Sequence, residues 1–102
     1  MSFALFVSPS GHTSLKKLPP DIKRVLQPEI AKLAEDPLLG SQLQGAFRFL
    51  RSLHIIANGV QYRVAYEVHE VDNEILIHYV STRENFYKEL QRIRIKPRSK
   101  SA

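Results

Sequence analysis

The chain has 102 residues, a net charge of +5 and no cysteine, and 43% of its residues are hydrophobic. This length predicts one domain with one small core, and the hydrophobic fraction is too high for a disordered chain. The lack of cysteine excludes a disulfide scaffold, thiolate-bound zinc, iron–sulfur clusters and thiol catalysis. No apolar run has the length of a membrane span, and the N-terminus lacks the pattern of a signal peptide. We therefore expect a cytoplasmic protein without a membrane partner.

The positive charge is concentrated at the C-terminal end. All ten acidic residues lie at or before Glu89, so the bases that follow account for the whole net charge: Arg92, Arg94, Lys96, Arg98 and Lys100. We predict a folded domain over residues 1–93 and a basic tail over residues 94–102. The tail is either an inert, solvated end or a contact to nucleic acid. Residues 37–66 also contain bases but no acid, so no carboxylate there would repel a phosphate.

The first half of the chain predicts one strand followed by helices. Residues 2–7 have the composition of a short strand, and residues 14–18 indicate a helical turn. Apolar residues at three- and four-residue spacing predict a helix over residues 20–35. Pro28 removes a backbone donor inside this helix, so we expect a kink or a break near residues 25–27.

The second half predicts three strands and a final helix. Alternating apolar side chains indicate strands over residues 47–55, 62–68 and 75–80, joined by turns at Asn58-Gly59 and Asp72-Asn73. A helix over residues 83–93 would place Phe86, Leu90 and Ile93 on one face. The fold class is therefore α+β: a small single domain with N-terminal helices packed on a curved antiparallel sheet and a C-terminal helix.

The sequence lacks the motifs of common cofactor and metal enzymes. It has no glycine-rich phosphate loop and no serine in a nucleophile-elbow pattern. The four histidines, His12, His54, His69 and His78, lack the spacing of metal ligands. We expect neither a cofactor nor a metal, which leaves Arg, His and Tyr side chains as candidates for chemistry.

Four of these side chains could form an anion site. Arg63 lies in mid-strand, where it must reach solvent, bind an anion or pair with an acid such as Glu67. His54 on the preceding strand would lie near Arg63 if the hairpin pairs the two strands, and an imidazole exchanges protons near neutral pH. Arg83 and Tyr87 are four residues apart at a helix N-terminus, which attracts anions. The structural alternatives are an exposed Arg head, a strand His without a task and a Tyr that packs in the core.

An ordered set of short segments resembles the RelE/ParE superfamily of bacterial toxins. The segments are residues 18–22, 30–37, 43–45, 62–68 and 82–87, and the resemblance covers about residues 2–93. It implies a small RelE-like toxin that a cognate acidic antitoxin neutralises, in a toxin–antitoxin hetero-oligomer. In the RelE branch the toxin cleaves mRNA in the ribosomal A site, whereas in the ParE branch it poisons DNA gyrase. An inactive member that only binds its antitoxin and represses transcription is a further alternative.

The resemblance to the RelE branch implies a metal-independent mRNA endoribonuclease that acts on the ribosome. It places phosphate binding on Arg63 and Arg83 and the role of a C-terminal tyrosine on Tyr87. His54 occupies the position nearest to lysines that RelE-type toxins carry. It is our preferred base, since an ordinary tyrosine has a pKa near 10. We expect further RNA contacts from Arg48, Arg51, Arg92, Arg94 and Lys96.

Overall fold

The structure, a computed structural model, describes residues 2–93 and residue 95. Its sheet has the strands β1 (Ala4–Val7), β2 (Ser41–Gln42), β3 (Arg51–Ala57), β4 (Val60–His69) and β5 (Glu74–Thr82), and its helices are α1 (Pro9–Lys16), α2 (Pro20–Ala31) and α3 (Phe86–Ile93). The five strands have the order β1-β5-β4-β3-β2. This arrangement confirms the α+β fold. The predicted tail residues Arg94 and Lys96 lie outside the described residues, and the boundary at residue 93 stays a prediction.

The three long strands pair as the alternation and the turns predict. β3 pairs antiparallel with β4, and β4 pairs antiparallel with β5. Asn58 and Gly59 both have positive φ, as a tight two-residue hairpin requires. β1 adds a feature that the prediction did not contain, because it lies parallel to β5 at the edge of the sheet. The sheet is therefore mixed around an antiparallel centre.

The helices cover the two faces of the sheet unequally. On one face, Ile22 and Leu26 of α2 pack with buried side chains of the three long strands, among them Val64 and Ile77. On the other face, α3 packs through Phe86 and Leu90 over Ala65 of β4. His54, Ile56 and Gln61 lie on this second face and are exposed. The end of the β3–β4 hairpin is thus left open to solvent beside α3.

The structure contains neither the helix break nor the early strand start that the sequence predicts. α2 runs without a break from Pro20 to Ala31 and continues as a 3-10 turn over Lys32–Ala34. Pro28 is exposed, and the helix remains intact because the loss of one hydrogen bond is outweighed by burial of its apolar face. Residues 47–50 are not part of a strand either, since Gly45–Phe47 forms a 3-10 turn and β3 begins at Arg51.

The described helices are short. α2, the longest of them, has 12 residues. None of the helices in residues 2–93 has the length and apolar character that a membrane crossing needs.

Candidate functional site

Side chains of β3, β4 and β5 line up in rows on the face that α3 partly covers. In one row, His54 lies opposite Arg63, and Arg63 lies opposite Ser81. In the next row, Ile56 lies opposite Gln61. Directly paired residues point to the same side of a sheet, so the two neighbouring rows form one continuous strip, which is called the strip below. The hairpin therefore brings His54 and Arg63 side by side, as the sequence predicts.

Arg63 is held by aromatic rings instead of an acid. Its guanidinium carbon lies 5.6 Å from the ring centre of Phe86 and 5.6 Å from that of Tyr87. The two rings meet edge to face at 5.3 Å, so they form a corner that fixes the arginine. Within residues 2–93 and 95, Arg63 takes part in no ion pair, and its buried Nε has no hydrogen-bond partner. Its positive charge is therefore not neutralised by a described side chain.

Glu67 is the acid that the sequence offers as a partner for Arg63, and that pairing was wrong. Its carboxylate oxygens lie 3.0 Å from His69 Nε2 and 2.8 Å from His78 Nε2. All three residues are buried. The sequence predicts neither histidine contact, because His69 and His78 show no pattern that points to Glu67. Within residues 2–93 and 95, no three acidic or histidine side chains have the geometry of a metal site.

Arg83 and Tyr87 reach the same strip from the C-terminal segment. Arg83 begins a 3-10 turn that leads into α3, and its Nη1 donates to Gln61 Oε1 at 3.3 Å. Tyr87 is 46% exposed and lies against Arg63. Since only part of its ring is covered, the hydroxyl-bearing side chain remains accessible. The structure therefore gathers all four predicted side chains, His54, Arg63, Arg83 and Tyr87, around one open end of the sheet.

The surroundings of His54 favour its neutral form. Partial burial lowers the pKa of His54 from its ordinary value of 6.5, and the positive charges of Arg63 and Arg83 lower it further. A histidine with a lowered pKa is neutral at pH 7, and its free ring nitrogen can accept a proton. A proton acceptor thus lies beside two cations that can hold an anion.

Replacement of Arg83 with glutamine is expected to raise the pKa of His54, because one of the two charges that disfavour the imidazolium is removed. The His54 ring-proton shift, followed by NMR as a function of pH, measures this change. Arg24→Gln on α2 is the matched control, since α2 packs on the opposite face of the sheet. An unchanged titration of His54 in Arg83→Gln would show that Arg83 does not act on the ring.

The structure does not bring Arg51 to this strip. Arg51 lies on the face that α2 covers, where its Nε donates to the carbonyl oxygen of Gly40 at 2.8 Å. Its Nη2 lies 3.4 Å from the carbonyl oxygen of Leu38. Burial raises the pKa of Tyr66, and the hydrogen bond with the Gly40 amide and the charge of Arg51 oppose this rise. These contacts anchor the loop before β2 and indicate a structural role for Arg51.

Of the other four predicted RNA contacts, the structure describes Arg48 and Arg92. Arg48 is exposed in the segment before β3. Arg92 is exposed on α3, and its Nη2 lies 2.6 Å from Glu89 Oε1. Arg94 and Lys96 lie outside the described residues. The roles of these four in RNA binding stay predictions.

Arg51→Ala is expected to lower the free energy of unfolding by about 1–2 kcal/mol, because the Gly40 carbonyl loses its charged donor. RNA affinity should stay at the wild-type level, since Arg51 lies away from the strip. Urea denaturation and RNA binding at equal amounts of folded protein measure the two effects. Unchanged stability with weakened RNA binding would instead support the contact that the sequence predicts.

A separate groove lies on the opposite face of the sheet. It measures about 690 Å³ and is formed by α1, α2 and the edge of the sheet. Its walls are mainly apolar, with Leu15, Leu26 and Ile30 among them, and Lys16 and Lys23 also line it. It contains none of the predicted site residues. The candidate chemistry and this groove are thus on different faces.

Comparisons with known proteins agree with this fold. A family model described as ParE-like toxin of type II bacterial toxin–antitoxin system matches residues 5–91. The chain is similar to the RelBE2 toxin–antitoxin complex of Mycobacterium tuberculosis, with a TM-score of 0.68 and 24% identity over 81% of this chain and 100% of that one. For a mutant of the E. coli toxin RelE in the free state, the TM-score is 0.69 and the identity 16%, over 91% and 99% of the chains. For the archaeal RelE–RelB complex of Pyrococcus horikoshii OT3 the values are 0.57 and 21%, over 81% and 97%. No curated protein sequence matches the chain.

Proposed function

The chain belongs to the ParE-like toxin family of type II bacterial toxin–antitoxin systems, and we propose that it is a toxin that cleaves mRNA on the ribosome as a metal-independent endoribonuclease. The observation that carries this proposal is the position of His54 beside Arg63 at an open end of the sheet. Two guanidiniums without a described acidic partner suit a phosphate, and a histidine with a lowered pKa suits proton abstraction.

The proposed reaction uses the RNA itself as the nucleophile. The ribose 2′-oxygen attacks the adjacent phosphorus, and His54 accepts the 2′-hydroxyl proton as the new P–O2′ bond forms. Arg63 and Arg83 bind the non-bridging oxygens, on which negative charge builds up in the phosphorane. The P–O5′ bond then breaks, and the Tyr87 hydroxyl donates a proton to the leaving 5′-oxygen. The products are a 2′,3′-cyclic phosphate and a free 5′-hydroxyl end.

We also propose a cognate acidic antitoxin as the partner. The similar RelBE2 and RelE–RelB structures are themselves complexes of a toxin with its antitoxin. On this chain, the apolar groove between α1 and α2, with Lys16 and Lys23 beside it, would suit an acidic segment with an apolar face. A small acidic open reading frame next to this gene would identify the candidate partner, and co-purification would test the complex.

Induction of the chain in bacteria tests the proposed activity against its alternatives. An endoribonuclease causes loss of mRNA with defined cut sites, which primer extension detects. A gyrase poison causes double-strand DNA breaks while mRNA remains intact. An inactive, antitoxin-binding member produces no toxicity at all. Cleavage of mRNA on purified, programmed ribosomes then tests whether this chain is itself the nuclease.

A further inference from the structure

An exposed isoleucine lies next to the row that His54 and Arg63 form on the sheet. Ile56 is 70% exposed, and it lies two residues beyond His54 on β3. Residues two apart on a strand project from the same face, separated by about 6.7 Å. Across the hairpin, Ile56 pairs with Gln61, which accepts a hydrogen bond from Arg83. The isoleucine thus extends the surface on which His54, Arg63 and Arg83 lie.

We propose that Ile56 contacts a nucleobase next to the cleaved bond, an inference that rests on the proposed ribonuclease function. When the cleaved phosphate is bound between His54 and Arg63, the base on one side of this phosphate can reach Ile56 in the neighbouring row. Both flat faces of a base are apolar enough to pack on an aliphatic side chain, and enzymes that act on nucleotides commonly hold bases against such surfaces. Arg83 donates a hydrogen bond to Gln61, the cross-strand partner of Ile56. The phosphate and the base would therefore be bound at neighbouring rows of the sheet.

The position of Ile56 distinguishes it from other exposed apolar residues. Val71 is 84% exposed, but it lies in the turn between β4 and β5, at the opposite end of β4 from the hairpin. A single exposed apolar side chain is ordinary on a protein surface. Ile56 shares a sheet face and a strand with His54, whereas Val71 has no such neighbour among the four site residues. Val71→Ala is therefore the matched control for Ile56→Ala.

Single-turnover cleavage on programmed ribosomes tests the contact, with mRNA that carries either a normal or an abasic nucleotide on each side of the cut. At one of these two positions, the abasic nucleotide should lower the cleavage rate of the wild-type protein about fivefold. This factor corresponds to the lower end of the free energy that stacking of one base contributes. Ile56→Ala should slow cleavage of normal mRNA by a similar factor and show no further loss on that abasic mRNA. Val71→Ala should behave as wild type.

The outcomes separate this inference from the function on which it rests. If Ile56→Ala cleaves normal mRNA at the wild-type rate, Ile56 does not contact the base. The same conclusion follows if Ile56→Ala slows cleavage of both abasic mRNAs by the factor by which it slows cleavage of normal mRNA. If the wild-type protein cleaves no mRNA, the proposed function and this inference both fail. Circular dichroism and thermal melting confirm that the variants are folded, which the exposure of Ile56 leads us to expect.

Discussion

Arg63→Ala is expected to slow mRNA cleavage about 100- to 1,000-fold, the loss typical when a group that stabilises transition-state charge is removed. Arg63 combines two properties that suit this role. It is held in the corner formed by Phe86 and Tyr87, and it takes part in no ion pair within the described residues. Its charge can therefore act on the phosphorane without first breaking an internal ion pair. Single-turnover cleavage on programmed ribosomes measures the loss.

Arg63→Lys is expected to restore only a small part of this activity. An ammonium group is a compact charge that lacks the planar fork by which a guanidinium binds two phosphate oxygens and stacks on rings. Arg24→Ala on the opposite face is the control and should cleave at the wild-type rate. Because the ring contacts of Arg63 contribute about 0.5–2 kcal/mol, the comparison is made at equal amounts of folded protein. Wild-type cleavage by Arg63→Ala would remove Arg63 from the mechanism.

The part of the site that the sequence predicts correctly depends on local information. Asn58 and Gly59 specify a two-residue turn, and a turn of that length fixes the register of the strands on both sides. Once the register is fixed, the opposition of His54 and Arg63 follows from counting residues. The alternation of residues 51–55 also places Arg51 among apolar side chains such as Leu53. That pattern already indicated that Arg51 lies on the other face from His54.

The features that the sequence did not predict depend on contacts between distant segments. β1 could have joined either edge of the sheet, and it pairs with β5, the strand on which α1 also packs. Gly11 of α1 lies so close to β5 that a Cβ there would be 2.5 Å from the carbonyl oxygen of Ile77. The buried Glu67 cluster lies next to an irregularity of the sheet. Ala65 pairs with Tyr79 but Tyr66 pairs with Ile77, so His78 falls between the paired positions of β5. A simple period of two cannot reveal such an irregularity, so the sequence does not predict the contact of His78 with Glu67.

His54→Ala is expected to slow cleavage about 100- to 10,000-fold, the range for loss of a positioned general base. The pH dependence gives a more specific test. A base acts in its neutral form, so the wild-type rate should rise with pH through the pKa of His54 and then become constant. Partial burial, Arg63 and Arg83 all lower this pKa, so the midpoint of the rise should lie below pH 6.5.

Three variants distinguish this role from a merely structural one. His54→Ala should lack the rise between acidic and neutral pH as well as most of the rate. Arg83→Gln should shift the midpoint to higher pH because the imidazolium is then less disfavoured, in addition to lowering the rate through the lost phosphate contact. His12→Ala, which changes an exposed histidine on α1, should keep both the rate and the midpoint. If His54→Ala retains the acidic limb, another group titrates there, and proton abstraction must be assigned to a different side chain of the strip, with Tyr87 the first to test.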